Sequence, residues 1–72
     1  MKKIKKIKIK INGKISTIND NLSLSIFLKR FKIPLKKVAI ELNKEIIDKN
    51  NTNKIKLKKN DKIEIVHFIG GG

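Results

Sequence analysis

Three glycines, Gly70, Gly71 and Gly72, close a 72-residue sequence directly behind the apolar run Val66 to Ile69. Their type and position suit one chemistry, the presentation of a carboxylate. Glycine has no side chain to obstruct a partner's active site. A terminal α-carboxylate, with an intrinsic pKa of about 3.5, is ionised at neutral pH and can attack an activated phosphate. Four residues, Ile69 to Gly72, extend at most roughly 14 Å, enough to enter a partner while a folded body stays outside. Gly70 and Gly71 would then supply reach, and Gly72 the reacting group.

The rest of the sequence offers little competing chemistry. It contains no Cys, so no disulfide, thiolate zinc site or nucleophilic thiol can be drawn, and any sulfur chemistry must use sulfur from elsewhere. His67 is the only His. With no second His and no carboxylate placed beside it, it reads as a structural residue rather than a metal ligand or base. Ser16, Ser23 and Ser25 lack a recognisable base and orienting group. Gly13 is the only glycine outside the tail, so no phosphate-binding glycine loop precedes a helix. Asp61 and Glu64 read as ordinary turn and surface residues. A chain of this size buries only about 60% of its unfolded surface and has little room for an enclosed active site. The sequence points away from an enzyme, a resident metal and a bound cofactor.

A net charge of +13 suggests nucleic acid, since clustered cations release counterions from phosphates. The residue types argue otherwise. Arg30 is the only Arg and there is no Tyr or Trp, so bidentate readout and base stacking have almost no material. Ile, Lys and Asn together read as AT-rich coding bias acting on a tolerant surface, and no specific nucleic-acid partner is expected. In "MKKIKKIKIKI" the isoleucines are interrupted by Lys5, Lys6, Lys8 and Lys10, unlike the continuous apolar stretch of a signal peptide. Nothing approaches the length of a membrane span. The expected location is the cytoplasm.

The elements that must hold the tail follow from periodicity. Ile7, Ile9 and Ile11 alternate with lysines as a half-buried strand, and Asn12-Gly13 marks a hairpin. A three-residue loop, Asn12 to Lys14, is expected because it places Ile15 beside Ile11. After the polar break at 19–21, Ser23 caps a helix whose Leu24, Phe27, Leu28 and Phe31 form one core-facing stripe, with Ile26 off it. Pro34 ends the helix near Lys32. Val38, Ile40 and Leu42 make a third strand, and Asn43-Lys44 turns into Glu45, Ile46 and Ile47. The polar connection "DKNNTN" leads to Ile55 and Leu57, a turn at Asn60-Asp61, and a last strand from Lys62 to Phe68. One sheet with one helix across a face is the simplest closed arrangement. In the last strand Ile63, Ile65 and His67 share one face, and Glu64, Val66 and Phe68 the other. With the isoleucines inward, Val66 and Phe68 form an exposed apolar patch suited to docking.

These stretches resemble the ubiquitin-like sulfur carriers of the ThiS type nearly end to end. "IKING" (9–13) is similar to that family's opening hairpin, "SLSIFLKRF" (23–31) to its capped helix, and "VAIELNKEII" (38–47) to its third-strand segment. "LKKNDKIEIVHFIGGG" (57–72) is similar to its ending, with Asn60 where the family usually has Gly. The resemblance implies an α+β, β-grasp fold: a mixed sheet, one main helix packed across one face, a domain over 1–68 and a flexible glycine tail over 69–72. It further implies that a ThiF-like adenylating enzyme uses ATP and magnesium to convert the Gly72 carboxylate to an acyl adenylate. Sulfur from a cysteine-desulfurase-derived persulfide then yields a thiocarboxylate, which a ThiG-like thiazole synthase consumes in thiamine biosynthesis. Val66, Phe68 and Ile69 would dock the partner. A carrier for molybdopterin synthesis or tRNA thiolation would share this chemistry with another acceptor. A small basic nucleic-acid-binding module is the alternative from a different class.

Overall fold

Alternating isoleucine and lysine build the first strand. In a computed structural model, which describes residues 5–67, β1 spans Lys6–Ile11, with Ile7 and Ile9 buried and Lys6, Lys8 and Lys10 exposed. A second strand, β2 (Lys14–Asn19), returns antiparallel, with Ile11 opposite Lys14 and Ile7 opposite Ile18. The connection is thus a two-residue turn, not the expected three-residue loop. Asn12 and Gly13 both take positive φ, 48° and 83°, the type I′ geometry whose twist matches that of paired strands. The cost of that register is Ile15, which faces outward at 66% exposure while Ile18 fills the core position.

Ser23 starts the helix by accepting the Ile26 N–H on its Oγ at 3.1 Å, and α1 runs Leu24–Arg30. Leu24, Phe27 and Leu28 are buried. The helix stops slightly before the expected Lys32, and not through Pro34 directly. Lys32 adopts φ 55°, its N–H donates to Lys29 O at 3.1 Å, and the Ile33 N–H donates to Leu28 O at 3.0 Å. Those two bonds form a Schellman cap, which satisfies late carbonyls while reversing the chain. Because the helix ends there, Phe31 departs from the core stripe. It is 51% exposed and lies tilted on Phe27, ring centroids 4.5 Å apart. Ile26, off the stripe, is exposed too.

A 3₁₀ turn (Leu35–Lys37) leads into β3 (Val38–Leu42), and Asn43-Lys44, again both at positive φ, turns into the short β4 (Glu45–Ile46). The polar connection folds as a second 3₁₀ segment (Lys49–Lys54), whose start Asp48 caps by accepting the Asn50 N–H at 2.9 Å. Leu57 is then buried, and its N–H donates to Leu22 O at 2.8 Å beside the helix start. Last comes β5 (Lys62–His67).

The five strands form one mixed sheet in the order β2-β1-β5-β3-β4. β5 lies parallel to β1 and antiparallel to β3. Side chains of its inner face, with Ile9, Val38, Ile40 and Ile63 at the centre, pack with Leu24, Phe27, Leu28 and Leu57 as one core. One sheet with one helix across a face is what the periodicities predict, and its strand order is the β-grasp arrangement that the family resemblance implies. No helix among the described residues is long and apolar enough to cross a membrane.

Candidate functional site

The strand that leads toward the glycine tail occupies the middle of the sheet. Ile63 is buried and Ile65 packs against the core, because a central strand flanked on both sides must bury one face against the helix. Two turn asparagines brace it. On the β3 side, the Asn43 N–H donates to Lys62 O at 2.8 Å, and the Asn43 Oδ1 accepts the Lys62 N–H at 2.9 Å. On the β1 side, the Asn12 N–H donates to Ile63 O at 2.9 Å, and its carboxamide reaches Ile65. Asp61 completes the entry to β5: one carboxylate oxygen accepts from Asn43 Nδ2 at 3.0 Å and the other from the Lys58 N–H at 2.8 Å. Asn60 just before it holds φ 70° and donates its N–H to Lys8 O at 2.9 Å, in the left-handed geometry that asparagine tolerates.

The sheet face opposite the helix divides by charge. Lys6, Lys8 and Lys10 of β1 and Lys62 of β5 occupy one half, with Lys10 beside Lys62 in the parallel register. A depression of about 300 Å³ there is lined by Lys8, Ile9, Lys10, Ile15, Asn60 and Lys62, with no carboxylate, histidine or hydroxyl to act as base or nucleophile. The other half is apolar with carboxylates among it. Val66 lies next to Ala39, Glu64 next to Glu41, and Glu41 next to Ile46. Val66 is 57% exposed and Ile46 80%, so this half can give up apolar area to a partner.

Val66 therefore stands on the outward parity that alternation assigned to it, at the described end of β5. His67, paired with Val38 in register, is exposed near the strand end. Phe68, Ile69, Gly70, Gly71 and Gly72, the remaining docking and tail residues, lie outside the described residues. Among the described residues no group of three or more His, Cys, Asp or Glu side chains is placed to hold a metal ion. Ile46 joins the outward apolar half without having been singled out as a docking residue; its register against Glu41 supplies the missing signal. The bracing roles of Asn12, Asn43 and Asp61 were also unforeseen. Asparagine at the first position of each I′ turn, where glycine also fits, was the available hint.

Known proteins similar to this chain agree with this architecture. The sequence pattern of the ThiS family matches residues 5–72. The sulfur carrier protein ThiS of Bacillus subtilis is 38% identical over 65 residues, covering 89% of this chain and 98% of that one. A thiazole synthase of Paramagnetospirillum magneticum is 35% identical over 66 residues, covering 92% of this chain, which spans 20% of that longer protein. The crystal structure of the thiamine biosynthesis protein ThiS from Geobacter metallireducens superposes with a TM-score of 0.81 at 29% identity, covering 92% of this chain and 100% of that one.

Proposed function

The chain belongs to the ThiS family, and from that premise we propose that it is a sulfur carrier of thiamine biosynthesis whose reactive group is the carboxylate of Gly72. The observation that carries this reading is the extent of the family match, which continues past β5 through residue 72 and so includes all three tail glycines.

The chemistry divides between chain and partners. The Gly72 carboxylate attacks the α-phosphate of ATP on a ThiF-like adenylating enzyme, and pyrophosphate leaves. The magnesium that neutralises the developing phosphate charge belongs with that enzyme and its ATP. The resulting acyl adenylate has AMP as a good leaving group. The terminal sulfur of a persulfide on a cysteine-desulfurase-derived donor displaces it, forming a C–S bond to Gly72, and a thiol then cleaves the persulfide's original S–S bond, leaving a thiocarboxylate on Gly72 and a disulfide on the donor. No side chain of this chain is asked to move a proton; its work is presentation. The folded body offers Val66 near the end of β5 and Ile46 on the same sheet face, and Phe68 and Ile69 are the further residues proposed to dock the partner. A thiazole synthase is the proposed consumer of the sulfur. That a protein named thiazole synthase contains a stretch similar to nearly the whole of this chain favours this destination over molybdopterin or tRNA thiolation.

The test is direct. Incubation of the full chain with its adenylating partner, magnesium-ATP and a persulfide donor should exchange one terminal oxygen for sulfur. Intact-mass and fragment spectra should place the sulfur on Gly72. Sulfur bound elsewhere, or none with a partner proven active on another carrier, refutes the proposal.

A further inference from the structure

Asn12 does more than turn the first hairpin. The parallel register between β1 and β5 ends at Ile11 opposite Ile63, yet β5 continues to His67. The Asn12 carboxamide takes up the edge that β1 leaves. Its Oδ1 accepts the Ile65 N–H at 2.8 Å and its Nδ2 donates to Ile65 O at 3.3 Å. A carboxamide offers an acceptor and a donor side by side, as a peptide group does, so the two contacts imitate one further rung of the ladder.

The position tolerates few residues for this purpose. Asn12 sits at φ 48°, which glycine and asparagine accept more readily than most side chains. Glycine would keep the turn and lose the rung. Aspartate would keep an acceptor for the Ile65 N–H but set its second oxygen against the Ile65 carbonyl.

We propose that Asn12 is a positioning residue for the reactive arm: its two-point hold on Ile65 fixes where, and in which direction, the chain leaves the sheet for Gly72. The inference rests on the carrier reading above. On its other side β5 is gripped by β3, through Ala39 opposite Val66 and Val38 opposite His67. Without the carboxamide the end of β5 is held on that side alone, and strand ends held on one side open more readily. Five residues beyond His67 can reach at most roughly 17 Å, so a change in where and how firmly their base is held shifts the set of positions open to the carboxylate in a partner. Misplacement on the order of 1 Å is enough to slow a reaction between aligned groups by up to a hundredfold.

The experiment compares the full chain with Asn12→Gly and Asn12→Asp. Amide hydrogen exchange on the free proteins reads the hold without any enzyme. Protection of the Ile65 amide should fall about tenfold in Asn12→Gly, the loss expected for one hydrogen bond, and less in Asn12→Asp, which keeps its acceptor. ATP–pyrophosphate exchange on the adenylating partner then separates positioning from docking. The turnover rate should fall roughly threefold to tenfold in Asn12→Gly while the KM for the carrier changes less than about twofold. Unchanged Ile65 protection in both variants overturns the hold itself. Lost protection with unchanged turnover, or a rise in KM alone, overturns the positioning role. A wild-type chain with protected Ile65 that a proven partner does not adenylate defeats the carrier reading and the positioning role with it, while the hydrogen bonds stand. Should Asn12→Gly not fold, the Asp variant alone still decides through the same two measurements.

Discussion

Shortening Val66 tests whether the outward half of β5 docks a partner. Val66→Ala removes two methyl groups, each worth about 0.8 kcal/mol when fully buried. Since 57% of the residue is exposed in the free chain, that fraction is what a partner can still cover. The expected loss on binding is therefore about 0.9 kcal/mol, a factor of roughly five in Kd. The portion already covered by the sheet sets the accompanying loss of stability at about 0.7 kcal/mol, a few degrees in Tm for a domain of this size. Calorimetric titration of the adenylating enzyme with wild type and variant reads the first quantity, and thermal unfolding of the free proteins reads the second. A Kd within experimental error of wild type, together with a stability loss above about 1.5 kcal/mol, would refute the reasoning. Val66 would then be a packing residue, and the docking surface would have to lie elsewhere.

Two further outcomes are expected. Appending a single Ala after Gly72 leaves the body and its outward apolar half intact but moves the carboxylate and adds a side chain, so ATP–pyrophosphate exchange should fall at least a hundredfold while calorimetric Kd stays within about threefold; adenylation of the extended chain without trimming would show that Gly72 is not the required end. On DNA or RNA the protein, at a net charge of +13, should bind weakly and without sequence preference, with the logarithm of affinity falling linearly against the logarithm of salt; a sequence-selective complex persisting at physiological salt in a filter or anisotropy assay would restore the nucleic-acid reading.

What could be read in advance was local. The helix stripe of Leu24, Phe27 and Leu28, the Ser23 cap and the isoleucine alternation of β1 and β5 each depend on periodicities that neighbouring residues enforce. The hairpin register does not follow from one side chain. Burial of Ile15 alone would favour a longer loop, whereas the Asn12-Gly13 backbone favours the two-residue I′ turn and leaves Ile15 outside. Phe31 failed for a related reason: the helix period continues to it on paper, but the Schellman cap has already turned the chain. The bracing of β5 was out of reach, since the bonds from Asn12 to Ile65 and from Asn43 to Lys62 span 53 and 19 residues. Sequence spacing gives no sign of such partners until the topology is known.

Placing β5 between β1 and β3 also governs the order in which the fold can assemble. The β1–β2 hairpin, α1 and the β3–β4 hairpin each close over short stretches and can form within microseconds. Joining β1 to β5, through Lys10 beside Lys62, must instead close a loop of roughly fifty residues, at an entropic cost of about 3.5 kcal/mol before any reward from burial. The nonlocal step is slow for that reason. Until it is complete, Ile63 and Ile65 lack the part of the core that Ile7 and Ile9 supply, and the Ile65 backbone lacks the Asn12 carboxamide. On the function proposed above, a chain short of that step would present its tail from a strand held by β3 alone.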